Sequence, residues 1–192
     1  GSVEKYSSTD KAESCLTCPV GYFTSGGTTS TRTTCAVCPK GSTCGSSGTP
    51  SRCTAGTYES GGNCVPCGDD KKYSDAGASI CDTCPIGMFT SGGSADGLTR
   101  TDCSVCPAGM FCKDGSSSKE SCLDGTFSKA GQHSCSVCGY DNQYAPGKGN
   151  SVCKFCAAGS KTTGGTSTTR SGCTACTAGS KCDGNFDSEM CE

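Results

Sequence analysis

Eight Cys-x-x-Cys pairs recur along the chain, and they are its residues with the clearest chemical potential. Paired thiols at this spacing can form disulfides, bind zinc or exchange electrons with other thiols. The segment from Cys15 to Cys38 reads C-x2-C-x16-C-x2-C, which lies within the spacing of zinc sites. A thioredoxin-like redox centre needs one such motif at the start of a helix, where the helix dipole lowers the pKa of a thiol. Many copies with changing inner residues do not fit that setting.

Disulfides are favoured over zinc for three reasons. The single cysteines Cys44, Cys53, Cys112 and Cys122 sit between the Cys-x-x-Cys pairs like members of a ladder and not like zinc knuckles. His133 is the only histidine, so nitrogen ligands are almost absent. The Gly-, Ser- and Thr-rich loops and the lack of a basic surplus are unlike nucleic-acid-binding zinc modules. A zinc-binding Cys-x-x-Cys array is kept as an alternative.

Spacing alone leaves the disulfide connectivity open. A sequential ladder joins neighbours, namely Cys18–Cys35, Cys38–Cys44, Cys53–Cys64 and Cys67–Cys81, and then repeats. An interleaved ladder uses Cys38–Cys53 and Cys44–Cys64 instead. Both schemes leave two cysteines unpaired, Cys15 among them, as expected for an array that continues beyond this sequence at both ends. The cysteines expected to pair are Cys18, Cys35, Cys38, Cys44, Cys53, Cys64, Cys67, Cys81, Cys84, Cys103, Cys106, Cys112, Cys122, Cys135, Cys138, Cys153, Cys156, Cys173, Cys176 and Cys182.

The chain has too few carbon-rich side chains to build one large core. Its 192 residues include 22 Cys and 29 Gly, and hydrophobic residues reach only 32% with cysteine included. Such a cysteine content is typical of a disulfide scaffold. Aromatic and Thr-rich flanks favour short strands, and Ser-Gly-Gly favours a turn that needs positive φ. We therefore expect a small disulfide-rich fold of mainly short β-hairpins and loops with little helix, extended as a rod of tandem repeats.

An eight-cysteine pattern occurs twice in full and a third time without its last two members. Its period is 66 residues from Cys15 to Cys81 and 72 residues from Cys81 to Cys153. Each copy opens with Gly, four residues and Tyr, and the segments CLTCPVGYFTSGG and CDTCPIGMFTSGG match closely. We therefore predict three cysteine-rich repeats, residues 1–67, 68–138 and 139–192, of which the third is incomplete.

The charge balance excludes one class of partner. Lys plus Arg number 16 against 18 Asp plus Glu, which gives a net charge of -2. Nucleic-acid binders usually carry a basic surplus, so no nucleic-acid partner is expected. This window shows no apolar run of membrane-spanning length and no basic amphipathic helix, so direct membrane insertion is not expected either.

Two Thr-rich stretches and a periodic arginine are further candidates for a functional role. TTSTRTT (28–34) and TTGGTSTTR (162–170) offer dense hydroxyls that could accept O-glycans. Arg32, Arg100 and Arg170 each stand three residues before a Cys-x-x-Cys pair. They form either a ligand-binding row or, as we favour, a structural position whose stem covers the aromatic at position 22 or 23 and its counterparts. The candidate O-glycan acceptors are Thr28, Thr29, Ser30, Thr31, Thr166, Ser167, Thr168 and Thr169.

The motifs CPxGxF and C-x2-G-T-[FY] resemble the cysteine-rich repeats of ephrin-receptor-like and growth-factor-receptor-like extracellular regions. The eight-cysteine array with its Gly-, Ser- and Thr-rich loops most resembles ciliate surface immobilisation antigens, over nearly the whole chain. The resemblance implies a secreted protein that a lipid anchor holds to the membrane and that forms a dense external coat. Repeat three departs from the pattern, with Ala157 and Thr177 where the other repeats have proline.

These observations predict an extracellular structural protein, either secreted or on the cell surface. A disulfide-stapled array would form a cell-surface coat or extracellular fibre, with neighbouring copies or further repeats of the same array as partners in a filament, and with glycans attached. The alternative is a receptor-like ectodomain that binds a protein or sugar. A receptor should expose an apolar or aromatic patch in one repeat, whereas a coat should expose mainly Ser, Thr and Gly. We expect that the protein is not an enzyme, that it binds no cofactor, and that it has no catalytic, cofactor-binding or metal-binding residues.

Overall fold

The computed structural model describes residues 5–7, 14–28, 30–45, 49–140, 142–184 and 189–190. Within these ranges the chain has no helix and forms short antiparallel strands that pair in twos. This confirms the predicted fold class of disulfide-linked β-hairpins and loops. None of the described residues belongs to a helix that is long and apolar enough to cross a lipid bilayer.

Each strand has two or four residues, and each sheet joins two strands that are consecutive in the chain. The strands of the described residues are β1 (Lys5–Tyr6), β2 (Leu16–Thr17), β3 (Tyr22–Ser25), β4 (Thr34–Val37), β5 (Ser42–Thr43), β6 (Ser51–Arg52), β7 (Thr57–Ser60), β8 (Asn63–Pro66), β9 (Lys72–Tyr73), β10 (Asp82–Thr83), β11 (Met88–Ser91), β12 (Asp102–Val105), β13 (Met110–Phe111), β14 (Glu120–Ser121), β15 (Thr126–Phe127), β16 (Ser136–Val137), β17 (Gln143–Tyr144), β18 (Lys154–Phe155), β19 (Ser160–Thr163), β20 (Gly172–Ala175), β21 (Ser180–Lys181) and β22 (Glu189–Met190). Four hairpins, from β1–β2 to β7–β8, fill the first eight-cysteine pattern, and the same series then starts again at β9.

The chain divides into two compact units, Gly1–Thr83 with Thr90–Asp102, and Cys84–Phe89 with Cys103–Glu192. Every contact described below lies within one of these units. The limits of the three repeats come from the cysteine register and stay a prediction, as does the rod-like arrangement.

A tight turn of the form Pro-x-Gly starts the longer hairpins. Tyr22 donates its backbone N–H to the carbonyl of Pro19 at 3.1 Å, and Gly21 takes a φ of 83°, which glycine adopts without a steric penalty. Ser160 makes the same bond to Ala157 at 3.0 Å. The loss of proline in repeat three therefore leaves this turn intact.

Sulfur atoms, and few carbon-rich side chains, occupy the buried apolar interior. Among the described residues the buried apolar positions are Cys53, Cys84, Cys106, Cys112, Cys122, Cys138 and Ala145. Because so little apolar carbon is removed from water, cross-links must supply much of the stability that a larger core gives to other domains.

Hydroxyl groups fill much of the remaining interior. Thr24, Thr90 and Thr162 occupy matched positions in the three repeats and are at most 2% exposed. Buried serines pair with backbone carbonyls in the same way in different hairpins, since the Ser74 hydroxyl donates to Thr57 at 3.0 Å and the Ser128 hydroxyl donates to Met110 at 2.7 Å. A buried hydroxyl is costly only when it lacks a hydrogen-bond partner, so a polar interior is compatible with this fold.

Backbone hydrogen bonds join the start of each repeat to a later hairpin in the same register. Ser7 donates its N–H to the Arg32 carbonyl at 3.0 Å. Ser74 donates to Arg100 at 3.2 Å, and Ala145 donates to Arg170 at 3.0 Å. The residue that follows the strand Tyr and the periodic Arg are thus linked in all three repeats.

A second recurring contact requires glycine. In the C-x2-G-T-[FY] motif, a Cβ atom on Gly56 would lie 2.4 Å from the carbonyl oxygen of Thr99, and one on Gly125 would lie 2.2 Å from that of Thr169. The N–H groups of the same glycines donate to Ser74 and Ala145, each at 2.8 Å. The end of one repeat therefore packs on the next repeat through backbone atoms, and any larger residue would separate them.

Candidate functional site

The disulfides follow the sequential ladder in both units. The Cα atoms of each pair are 5.4 to 6.2 Å apart, within the usual range for disulfides. The interleaved bonds Cys38–Cys53 and Cys44–Cys64 are not formed. The bridges are Cys18–Cys35, Cys38–Cys44, Cys53–Cys64, Cys67–Cys81, Cys84–Cys103, Cys106–Cys112, Cys122–Cys135, Cys138–Cys153, Cys156–Cys173 and Cys176–Cys182.

Strand geometry explains why each Cys-x-x-Cys serves two neighbours. Successive side chains of a strand point to opposite faces, so residues three apart also lie on opposite faces. In the pair Cys64 and Cys67, the first sulfur bonds backward to Cys53 and the second bonds forward to Cys81. Each motif in which both cysteines are bonded therefore links two successive hairpins.

The ladder leaves few thiols for other chemistry. Cys15 is exposed and forms no disulfide in the described part of the chain, and Cys191 lies outside it. The cysteines that a zinc array would use are bonded to one another, and the described ranges contain no group of three or more His, Cys, Asp or Glu side chains that could hold a metal. The zinc alternative is therefore left with one cysteine outside the disulfides, Cys15, in these ranges.

One kind of bridge differs between repeats in its burial. Cys106 and Cys112 are 0% and 1% exposed, whereas Cys176 and Cys182 of the matching bridge are half-buried. Both bridges span a sequence separation of 6 and share backbone bonds with a preceding glycine. Residues 131–132 also cover the first bridge, where Gly131 donates to the Cys106 carbonyl at 2.8 Å and Cys112 donates to the Gln132 carbonyl at 3.1 Å. The corresponding segment of repeat three would follow Cys191 and lies outside the described residues.

The periodic arginines are built into the hairpins. Arg170 is 7% exposed, and the Arg100 side chain is 13% exposed. Arg100 donates its Nε–H to Asp70 Oδ1 at 2.7 Å, and the Nε of Arg32 is buried without a hydrogen-bond partner among the described residues. Because Arg170 is buried and Arg32 and Arg100 are half-buried, a structural position is favoured over an open ligand-binding row.

Lysines, which the sequence did not single out, make the cation–aromatic contacts of the described chain. Lys119 Nζ lies 3.9 Å from the centre of the Phe89 ring, and Lys113 Nζ lies 5.1 Å from that of Phe111. The Lys119 and Phe89 pair spans distant parts of one repeat, so no local spacing could have identified it. Contacts of this kind contribute roughly 0.5–1 kcal/mol at exposed positions.

The Thr-rich stretches form two matching loops, each closed by the hydroxyls of its first residue and of the residue before the periodic arginine. We call these the inner hydroxyls; they belong to Thr28 and Thr31 in repeat one and to Thr166 and Thr169 in repeat three. Thr28 donates its N–H to Thr31 Oγ1 at 3.1 Å, and the two hydroxyl oxygens are 2.7 Å apart. Thr166 donates its N–H to Thr169 Oγ1 at 3.0 Å, and their hydroxyl oxygens are 2.8 Å apart. In both repeats, the hydroxyl of the residue before the periodic arginine therefore accepts the N–H of the first loop residue.

The hydroxyls of the loop residues between the inner ones, which we call the outer hydroxyls, make longer contacts. Ser30 Oγ lies 3.2 Å from Thr28 Oγ1, and Thr168 Oγ1 lies 3.4 Å from Thr166 Oγ1. Ser30, Ser167 and Thr168 are all exposed. The candidate Thr29 lies outside the described residues.

A carboxylate takes the outer position in repeat two. Ser94 donates its N–H to Thr99 Oγ1 at 3.1 Å, as in the other loops, but its hydroxyl also donates to Asp96. Leu98 donates its N–H to the same Asp96 oxygen at 2.9 Å. The hydroxyl of Ser94 and then the N–H of Leu98 hold the pKa of the Asp96 carboxyl below its usual range.

A cleft of about 380 Å³ lies in the first unit, between residues 17–24, residues 44–45 and residues 61–63. Tyr22 on its wall is 43% exposed. Met88 and Ser160 occupy the position of Tyr22 in the other repeats, so repeat one alone has an aromatic ring there. An exposed ring beside polar groups can bind a small amphipathic molecule.

No family model matches the sequence, and no curated protein is significantly similar to it. The dense disulfides indicate an oxidising, extracellular or secreted environment. We conclude that the chain is an extracellular, disulfide-stapled repeat protein.

Proposed function

We propose that the chain is a non-enzymatic structural component of an extracellular surface, either a cell-surface coat or an extracellular fibre. The observation that carries the proposal is the recurring repeat junction, where the glycine of C-x2-G-T-[FY] and the periodic arginine make the same backbone contacts in successive repeats. A junction that recurs in one geometry lets repeats be added without a growing apolar core, because each repeat contacts only its neighbours.

The exposed apolar side chains support an array more than a single binding epitope. They occur in all three predicted repeats, for example Val37 at 67%, Val105 at 56% and Phe155 at 65% exposure. This is neither the one patch expected of a receptor nor the surface of mainly Ser, Thr and Gly expected of a coat. Side chains of this kind, spread along a chain, suit packing against many identical copies.

The resemblance to ciliate surface immobilisation antigens points to the same function. It rests on cysteine spacing and loop composition, and it implies a dense coat held outside the cell. Glycans on the Thr-rich loops would belong to such a coat, because exposed hydroxyls are common acceptors in extracellular proteins. The disulfides agree with this setting, since they persist where the surroundings are oxidising.

Self-association of the full oxidised chain tests the proposal. We expect light scattering during size-exclusion chromatography to show assemblies that grow with protein concentration. The triple variant Val37→Ser, Val105→Ser and Phe155→Ser should reduce this assembly by removing one exposed apolar side chain from each repeat. The matched control changes exposed polar strand residues instead, as Thr17→Ser, Thr83→Ser and Thr174→Ser. A chain that stays monomeric at every concentration would overturn the coat or fibre proposal.

The cleft beside Tyr22 favours a second candidate function, a ligand-binding ectodomain. Its volume is at the lower end of the range for ligand sites, and an exposed ring that lines the same cleft as the Asn63 side chain suits the apolar face and hydroxyls of a sugar. Binding to a panel of immobilised mono- and disaccharides would test it. Tyr22→Ala should abolish that binding, whereas Tyr140→Ala, which removes an exposed ring outside the cleft, should not. No binding by the native chain would eliminate this candidate.

A further inference from the structure

We propose that O-linked sugars are attached to the outer hydroxyls Ser30, Ser167 and Thr168, and that the matching loop of repeat two carries none. The inner hydroxyls of the same loops stay unmodified because they hold the loops closed. The inference rests on the proposed extracellular function and identifies the side chains through which the protein is decorated.

The inner hydroxyls already have fixed partners. Thr31 and Thr169 each accept a backbone N–H and lie within 2.8 Å of a second hydroxyl. A sugar on either oxygen would take the space of that second hydroxyl and remove the proton that the pair shares. Modification there would open the loop next to the periodic arginine.

The outer hydroxyls are free of such constraints. Ser30 and Thr168 each have one long contact, at 3.2 and 3.4 Å, which is weak for a hydrogen bond between hydroxyls. Ser167 is exposed, and its hydroxyl makes no hydrogen bond within the described ranges. A glycosyltransferase can therefore reach these oxygens without unfolding the hairpin.

Repeat two provides an internal negative control. Its outer position holds Asp96, whose carboxylate cannot accept a sugar through an O-glycosidic bond and instead binds the Ser94 hydroxyl. The Ser94 oxygen also lies 2.6 Å from Thr99 Oγ1, so both hydroxyls of this loop are inner ones. Among the three matching loops, sugars should therefore occur in those of repeats one and three only.

The reaction needs a separate transferase and an activated sugar nucleotide. The hydroxyl oxygen attacks the anomeric carbon and forms the new C–O bond. The bond from that carbon to the nucleoside diphosphate breaks, and the diphosphate leaves with the electron pair. The hydroxyl proton passes to a base of the transferase, and no atom is oxidised or reduced.

Site mapping of the full chain, secreted from a eukaryotic cell, tests the inference. Electron-transfer fragmentation keeps sugars attached, and it should place them on peptides containing Ser30, Ser167 and Thr168 and on no residue from 94 to 99. The double variant Ser167→Ala with Thr168→Val should lose the sugar mass from its peptide. Asp96→Thr should create a new acceptor in repeat two.

Two outcomes would overturn the inference. Sugars found on Thr31 or Thr169 would show that the inner hydroxyls are the acceptors. A secreted chain with its ladder intact and no sugar on any outer hydroxyl would exclude the modification and leave the structural function standing. Self-association, measured on the same material, tests that function separately.

Discussion

Repeats two and three close the same short loop with the same disulfide, and they differ in what covers it. In repeat two, Gly131 and Gln132 bind the backbone of Cys106 and Cys112 and bury both sulfurs. In repeat three, Cys176 and Cys182 stay half-buried, and the segment that would correspond to residues 131–132 follows Cys191, outside the described residues. Cysteine spacing thus sets which residues pair, whereas the neighbouring hairpin sets how protected each bridge is.

The ion pairs of the two repeats also differ in burial. Repeat two has the half-buried pair between Arg100 and Asp70 in addition to an exposed pair between Lys113 and Glu120, and its loop uses the carboxylate of Asp96. Repeat three has the ion pair between Lys181 and Glu189, with both side chains at least 70% exposed. The disulfide connectivity is therefore the same in both repeats, whereas the polar contacts differ. These contacts should contribute to the free energy of unfolding according to their burial.

The largest effect should come from the glycine of the Pro-x-Gly turn. Gly87→Ala in repeat two would place a Cβ 2.3 Å from the carbonyl oxygen of Gly131, whereas Gly159→Ala in repeat three meets no atom within 4 Å. Both glycines have a φ of 79°, so the backbone penalty is the same. We expect Gly159→Ala to cost about 1–2 kcal/mol from φ alone, and Gly87→Ala about 3–4 kcal/mol because the covering segment must move. Guanidinium unfolding with the disulfides intact measures the difference. Equal losses would mean that residues 131–132 do not cover the bridge.

Partial reduction should distinguish the two bridges next. A thiolate must reach a sulfur atom to exchange with it, so Cys176–Cys182 should be reduced before Cys106–Cys112. We expect a rate ratio on the order of tenfold or more, because a local opening cost of about 1.4 kcal/mol already slows a reaction tenfold. Brief treatment with a mild reductant, alkylation and peptide mapping give both rates. Gly87→Ala should raise the rate at Cys106–Cys112 alone, and simultaneous reduction of both bridges would contradict this account.

The ion pairs should show a smaller contrast. Asp70→Asn removes the partner of a largely enclosed guanidinium and should destabilise the chain by about 1–2 kcal/mol. Glu189→Gln breaks an exposed pair and should leave the stability almost unchanged, because solvent screens the pair. Thermal or denaturant unfolding of both variants checks the ranking. If Glu189→Gln were the more damaging change, burial would not control these contributions.

The smallest effect should be the response to pH. The pKa of Asp96 is lowered, so its contribution to folding is complete above the usual Asp value and is lost as pH falls through the lower folded value. The pKa of Lys181 is raised by Glu189, so its contribution is complete below the usual Lys value and is lost as pH rises through the higher folded value. NMR titration should show that the pKa of the Asp96 carboxyl rises back toward its usual range in the Ser94→Ala variant. An unchanged Asp96 titration in that variant would show that the serine hydroxyl is not its main partner.

Much of the fold could be predicted from cysteine count and turn chemistry. Twenty-two cysteines with glycine-rich turns leave few ways to stabilise the chain, so short stapled hairpins follow from composition. The connectivity could not be chosen from spacing, because Cys38 can reach Cys44 or Cys53 with loops of similar cost. The folded backbone decides it, because it places the Cα atoms of Cys38 and Cys44 5.9 Å apart.

The contacts that distinguish the repeats were harder to predict. Nothing local in the sequence shows that residues 131–132 lie on Cys106, or that Asp70 meets Arg100 across 30 positions of chain. The Thr-rich loops were recognised by composition, but only the hydrogen bonds separate inner from outer hydroxyls. Long-range contacts of this kind depend on how hairpins pack, which a single sequence does not display.

Intact mass of the secreted chain, alkylated first without reduction and then after it, tests the central claim most directly. The sequential ladder predicts that native alkylation labels only the cysteines outside the ten bridges, and that reduction makes all 22 available. Peptide mapping of the same sample should recover Cys38 joined to Cys44. A native chain that labels at most of its cysteines, or that retains zinc until it is denatured, would contradict the claim.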